Sequence, residues 1–194
     1  DGLMRFSLGG ILSYMKYDAN IDKFPKDNLK CIFSPEGNIR IVFSPKHEMG
    51  ISASYVYTPK DIRYMVDYSM VSGYDKINGN SSIRNPYVNR FNVSFNYRLF
   101  NMYNNLLLFI VGSYSKDNNS VLQNVNQEGI ASNINYSDGG KQQNMYMKVA
   151  VSKGINVIPL DLKLNISLSK QIGNSMINFD AFDIINKSLS TNAI

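Results

Sequence analysis

The single histidine, His47, lies in the stretch SPKHE, residues 44–48. An imidazole there could act as a general base or a metal ligand. Either role needs partners, whether a nucleophile with an orienting carboxylate or further ligands, and this tight turn shows none. It reads as a surface histidine. Asp180 and Asp183, in DAFD, could be imagined as a carboxylate pair, but at a strand-to-turn junction such groups cap a turn or face water. The stretch SDGGKQQN, residues 137–144, contains Gly-Gly-Lys without the spacing or the Ser/Thr of a phosphate loop, and reads as a turn. Cys31 stands alone, which excludes an internal disulfide and a cysteine-based metal site. No catalytic residue, metal or cofactor is expected, and the chain does not read as an enzyme.

What remains is binding chemistry. Residues 58–87 separate two strongly patterned segments and carry Tyr64, Tyr68, Tyr74, Asp75, Lys76, Asn78, Arg84 and Asn85. Rings that stack, and amides and charges that hydrogen-bond, are what a recognition loop offers. The same groups serve equally well to pack a loop over neighbouring strands.

Composition limits what could position them. The chain has 194 residues, 44% hydrophobic and 12% aromatic, so it is not a disordered chain. Charged residues make up only 18%, against about 25% in ordinary globular domains. Twenty Lys and Arg against 15 Asp and Glu leave +5, a mild excess that suits a solvated surface. No run of cations longer than a pair occurs, so no nucleic-acid partner is expected. The longest apolar run, LLLFIV at 106–111, falls far short of the roughly 20 residues of a transmembrane helix.

The pattern that dominates is alternation. In PLDLKLNISLSK, residues 159–170, Leu160, Leu162, Leu164, Ile166 and Leu168 point one way, while Asp161, Lys163, Asn165, Ser167 and Ser169 point the other. MRFSLGGILSYMKY (4–17), NIRIVFS (38–44), EMGISASYVYT (48–58), VNRFNVSFNYRL (88–99) and NMYMKVAVS (144–152) repeat it. The chain is therefore expected to be all-β and antiparallel. A sandwich alternates too, with its apolar faces packed together, but its strands usually run about 5–6 residues. The alternating runs here are longer, as in membrane barrels whose strands are apolar outside and polar inside. Pattern alone leaves both architectures open. Tyr14, Tyr17, Tyr55, Tyr57, Tyr97 and Tyr114 lie near strand ends and fit an interfacial girdle.

Connections are expected to sort by length. SPKHE, LFNMYNN (99–105) and KGINVI (153–158) read as tight; residues 18–28, residues 58–87, NVNQEG (124–129) and SDGGKQQN read as long. Membrane barrels have short turns on one rim and long loops on the other. Within residues 47–99, Gly79, Asn80, Asn85, Pro86 and Tyr87, followed by Phe91 to Tyr97, resemble the loop-ending "GNP-x-L" type motif and descending strand of TonB-dependent outer-membrane receptors. INFDAFDIINKS, residues 177–188, resembles that family's near-C-terminal motif through Ala181, Asp183, Ile184, Ile185, Asn186 and Lys187. The likeness is nearest to the branch called outer membrane protein β-barrel.

The resemblance implies a transmembrane β-barrel in the outer membrane of a Gram-negative cell, importing a nutrient too large for passive diffusion. It implies as partners outer-membrane lipid, the remainder of the barrel, a plug domain, a TonB-type energy-coupling protein acting through that plug, and a surface lipoprotein. Ligand contacts are expected from Tyr74, Lys76, Asn78 and Arg84, or from the inward polar residues Arg90, Asn92 and Asn96. The family closes about 22 strands around its plug, whereas period-2 counting gives about 8 or 9 here. Residues 1–194 therefore read as the C-terminal part of a barrel, without plug or energy-coupling box, and with sequence omitted around Lys170 to Asn174. The alternative from another class is a structural or adhesive surface β-domain without transport.

Overall fold

The computed structural model describes residues 2–17, 28–80, 82–83, 86–155, 160–178 and 180–193. Ten strands form one sheet. Eight are long: β1 (Leu3–Tyr17), β2 (Asn28–Ser44), β3 (His47–Pro59), β6 (Tyr87–Asn101), β7 (Leu106–Glu128), β8 (Ala131–Ile155), β9 (Leu160–Ile177) and β10 (Asp180–Ala193). The other two, β4 (Ser69–Ser72) and β5 (Asp75–Asn78), form a small hairpin within the insertion 60–86, after a single 3-10 turn, Ile62–Tyr64. The all-β antiparallel expectation holds, and the two short strands raise the expected count.

The long strands form an antiparallel meander in chain order, and β1 and β10 are not paired to each other. The sheet is open. Extensive contacts join only strands that share a ladder, so no second sheet covers either face among the described residues. The segments 91–97 and 162–166, which a sandwich would press together, lie in the same layer. Among the described residues only four hydrophobic side chains are buried, Ile32, Met65, Ile83 and Tyr87. The accessible surface is 13197 Å², against about 9,300 Å² for a compact monomer of this mass.

Local chemistry explains the ends. Turn 45–46 is closed by Ser44, whose Oγ accepts from the Lys46 N–H at 3.2 Å. Turn 102–105 is an Asx turn: Asn101 Oδ1 accepts from the Tyr103 and Asn104 N–H groups, and Asn105 takes φ 44°. Phe100 N–H donates to the Lys46 carbonyl, and the Lys46 ammonium lies 4.3 Å from the Tyr103 ring centroid, which ties the two short turns together. The ladder from β2 to β3 stops at Glu36, beside Pro35, which has no N–H to give.

Two expected loops are strand instead. NVNQEG lies in β7 and its turn, and SDGGKQQN lies within β8. Their Asn, Asp and Gly content reads as loop, but it serves a hairpin arm reaching to turn 129–130. Register shifts between Asp117 and Leu122 mark the arm's root. Asn119 and Gly139 adopt left-handed backbone there, at φ 58° and 99°. Above the root the neighbours exchange. Below it the order is β6-β7-β8-β9; above it β8 pairs with β5 and β7 pairs with β9. The arm therefore makes a half turn. At Gly140 the strands approach so closely that a Cβ would lie 2.8 Å from the Ser120 carbonyl oxygen.

Candidate functional site: a two-faced sheet and its arm

Residues paired in an antiparallel ladder point to the same side, so register extends each face across the sheet. One face carries Met4, Phe6, Leu8 and Leu12 on β1, Ile39 and Ile41 on β2, Met49, Ile51 and Tyr55 on β3, and Phe91, Val93, Phe95 and Tyr97 on β6. It continues through Leu108, Ile110, Val149, Met147, Leu164, Ile166, Leu168 and Leu189. Phe6 is 63% exposed and Leu8 75%. These large apolar groups have no protein cover.

The opposite face is paved with hydroxyls and amides. One complete cross-sheet row reads Ser7, Asn38, Ser52, Ser94, Ser113, Tyr146, Ser169, Ser188. The next, toward the long-loop rim, reads Gly9, Glu36, Ser54, Asn92, Ser115, Asn144, Gln171, Asn186. Neighbours bond between strands: Ser52 to Ser94 at 2.6 Å, Asn92 to Ser54 at 3.4 Å, Asn144 to Ser115 at 3.3 Å and Ser169 to Ser188 at 2.7 Å. Apolar groups interrupt this side: LLLFIV puts Leu107, Phe109 and Val111 on it, and Leu3, Ile11, Val42, Phe100 and Ile184 share it.

The apolar face has an oblique upper border. Above the apolar run, moving from the short turns toward the arm, the first charged or amide group is Asn89 on β6, Lys116 on β7, Gln143 on β8, Lys170 on β9 and Lys187 on β10. Asn101, Lys153 and Thr191 lie on the same face nearer the short turns, and Ile172 and Ile185 lie above the border. Followed through the ladders, that border drops four residues over four strand-to-strand steps. This is about 13 Å of strand length against about 19 Å of width, a slope of about 35°. Strands of membrane barrels tilt by roughly 35–45°.

The candidate ligand residues fall into two groups. Asn92 and Asn96 face the polar side of β6; Asn96 lies across from Gly50, where a Cβ would come within 2.8 Å of its amide. Arg90 is committed, donating through Nε and an Nη to the two oxygens of the buried Asp117 at 2.7 Å each. Tyr74, Lys76 and Asn78 sit on the β4–β5 hairpin, docked against the arm. The Asn78 amide donates to Asn133 and Asn135 at 2.5 and 3.0 Å, so it clamps the arm. Tyr74 is 71% exposed at the hairpin tip, its carbonyl accepting from Ser132 N–H. Arg84 lies outside the described residues. The sequence reading named the loop set or the inner-wall set; of the described six, Tyr74, Lys76 and Asn78 lie on the hairpin against the arm, and Arg90, Asn92 and Asn96 lie on β6.

What the sequence reading missed is how the insertion holds the arm. The Lys60 side chain is fully buried and meets Asp138 at 2.5 Å. Asn80 donates to the Tyr136 carbonyl at 2.7 Å, the Tyr64 and Tyr136 rings lie 4.6 Å apart, and Asp75 accepts from the Ser132 hydroxyl. Burial pushes the Tyr136 hydroxyl pKa up, with Tyr64 and Tyr68 adding to it. On the far side Asn178 accepts from Gln127 N–H at 2.8 Å and donates its own N–H to the Val125 carbonyl. A lone Lys next to a Pro carried no signal for its partner 78 residues away.

Asp180 and Asp183 are three apart on β10, hence on opposite faces, and form no carboxylate pair. His47 opens β3 opposite Leu99. Among the described residues no cluster of three or more His, Cys, Asp or Glu is placed to hold a metal. Nor does any described helix have the length and apolarity to cross a membrane, which says nothing of strands. Comparison with known protein families, with curated proteins and with solved structures finds no match. The likeness to TonB-dependent receptors thus rests on the quoted motifs alone.

Proposed function

We propose that this chain is part of the wall of a transmembrane β-barrel in a bacterial outer membrane, serving a TonB-dependent receptor that imports a ligand too large to diffuse. The observation that carries the reading is the uncovered apolar face, continuous over eight long strands, behind a face of hydroxyls and amides. In water such a face is unfavourable at about 25 cal/mol per Å² of apolar area. Against lipid it is satisfied, and the polar face then lines a water-filled interior. The oblique border agrees with strands crossing a hydrocarbon layer at a tilt. The insertion, with Tyr74 and Lys76, and the inner-wall groups Asn92 and Asn96 are the ligand contacts in this reading. The plug, the coupling protein and a surface lipoprotein enter through the family likeness.

The test places single cysteines in the full protein after Cys31→Ser, at Val93 and Leu164 on one face and at Ser94 and Ser113 on the other. Fluorophores at Val93 and Leu164 should be quenched by a lipid-borne quencher, and those at Ser94 and Ser113 by an aqueous one. Aqueous quenching on both faces sinks the membrane reading and favours the adhesive β-domain.

A further inference from the structure

On the polar face of β1 and β2, Arg5 stands directly opposite Arg40 in the ladder. Opposed like charges are unfavourable there, because paired Cβ atoms lie about 4.5–5.5 Å apart. One acid serves this corner. Glu48 accepts from Arg40 Nε at 2.7 Å and from Arg98 at 3.2 Å. Two of the three guanidinium groups at this corner thus share one carboxylate, and Arg5 joins no ion pair among the described residues.

There is also room. A cleft of about 430 Å³ is lined by Arg5, Phe6, Ser7, Asn38 and Arg40. It shares Ser7 and Asn38 with a second cleft, of about 340 Å³, that reaches Glu36, Ser52 and Ser54 on the hydroxyl and amide rows. Unbalanced positive charge at one end is therefore continuous with a hydrogen-bonding floor that carries the Glu36 carboxylate at its far end.

The geometry points to an oxyanion site, in which a phosphate or carboxylate group sits between Arg5 and Arg40. A guanidinium presents a planar fork that matches either group. The Asn38 amide and the Ser7 hydroxyl donate to the remaining oxygens. The rest of the solute, uncharged and bearing hydroxyls or amides, lies along the second cleft. Glu36 at the far end repels a second anionic group, so the site suits a solute with one acidic end over a polyanion. This deepens the proposed function, because it rests on the polar face lining a water-filled passage.

The experiment titrates the full protein in lipid nanodiscs with inorganic phosphate and with acetate, against chloride at matched ionic strength. The readout is the Nε–H NMR signals of Arg5 and Arg40, assigned by substitution. Saturable shifts with phosphate or acetate, absent with chloride, are expected; the stronger of the two identifies the headgroup chemistry. Arg5→Gln should weaken binding by about tenfold, and Arg5→Lys, which keeps charge but loses the fork, should weaken it less. Shifts that follow ionic strength alike for all three anions overturn the site, as does an Arg5→Gln protein that binds like the parent. The face labels at Val93 and Ser94 separate the two readings. Lipid quenching at Val93 without oxyanion binding removes the site and leaves the barrel wall; aqueous quenching at Val93 removes both.

Discussion

Val93 and Ser94 are adjacent in sequence and differ in everything that decides their fate. Val93 sits opposite Ala53 and Tyr114 on the apolar face; Ser94 bonds to Ser52 on the polar one. Val93→Arg should destabilise the membrane-embedded protein by about 2–4 kcal/mol, the cost of a cation near the midplane of a barrel's lipid face. Ser94→Arg should cost less than about 1 kcal/mol, since water solvates the new charge. Reversible urea unfolding in lipid vesicles measures both, and equal costs would remove the distinction between the faces. Lys60 makes a different case. Its buried ammonium answers Asp138, which is partly exposed, so Lys60→Met removes the charge while keeping most of the volume. The expected effect is local: faster hydrogen exchange at Ile134 and Val125 on the arm, with Ile51 and Phe95 unchanged. Acceleration spread evenly over sheet and arm would assign Lys60 a role in the sheet itself.

The strands were legible because period 2 needs only the order of the residues, and the faces read from Met4, Ile51, Phe95 and Leu164 are those of the structure. The extension of β2 through SPEG was not, because Pro35 and Gly37 carry the composition of a turn. The arm was not legible for the same reason. Asn119, Gly139 and Gly140 look like loop residues and act as the bulge that lets two strands cross. The seven ligand candidates were picked for chemical type, and type does not reveal that Asn78 and Arg90 already have partners. Gly140 tests the arm. A Cβ there would press on the Ser120 backbone, so Gly140→Ala should force the root apart and expose the arm to limited proteolysis, with cleavage between Leu122 and Tyr136. An arm equally resistant in the variant would mean that the crossing is not held by close approach.

At the scale of the whole molecule, two strand edges and two rims remain to be accounted for. Among the described residues the outer edges of β1 and β10 carry no ladder, and an unpaired backbone group in hydrocarbon costs several kcal/mol, on the order of a lost hydrogen bond in an apolar solvent. Residues 1–194 alone should therefore not form a stable monomer in a bilayer; a closed, heat-resistant barrel of this chain alone would contradict that and make it a small pore. The rims differ in kind. Turns 45–46 and 102–105 lie at one end of the sheet, while the insertion and the arm tip at 129–130 lie at the other, together with Asn178 at the end of β9. Long connections on a membrane barrel face outward from the cell, so Asn78 should be extracellular and Lys153 periplasmic. Labelling intact cells with a membrane-impermeant maleimide, after Cys31→Ser, decides between the two ends. A cysteine at Asn78 should react without permeabilisation, and one at Lys153 only after it. Because Asn78 is hydrogen-bonded to the arm, Lys76→Cys on the same hairpin serves as the control for a buried or disruptive label. Reaction at Lys153 together with silence at both hairpin positions would invert the topology and put Tyr74 and Lys76 on the side of the membrane where no external ligand arrives.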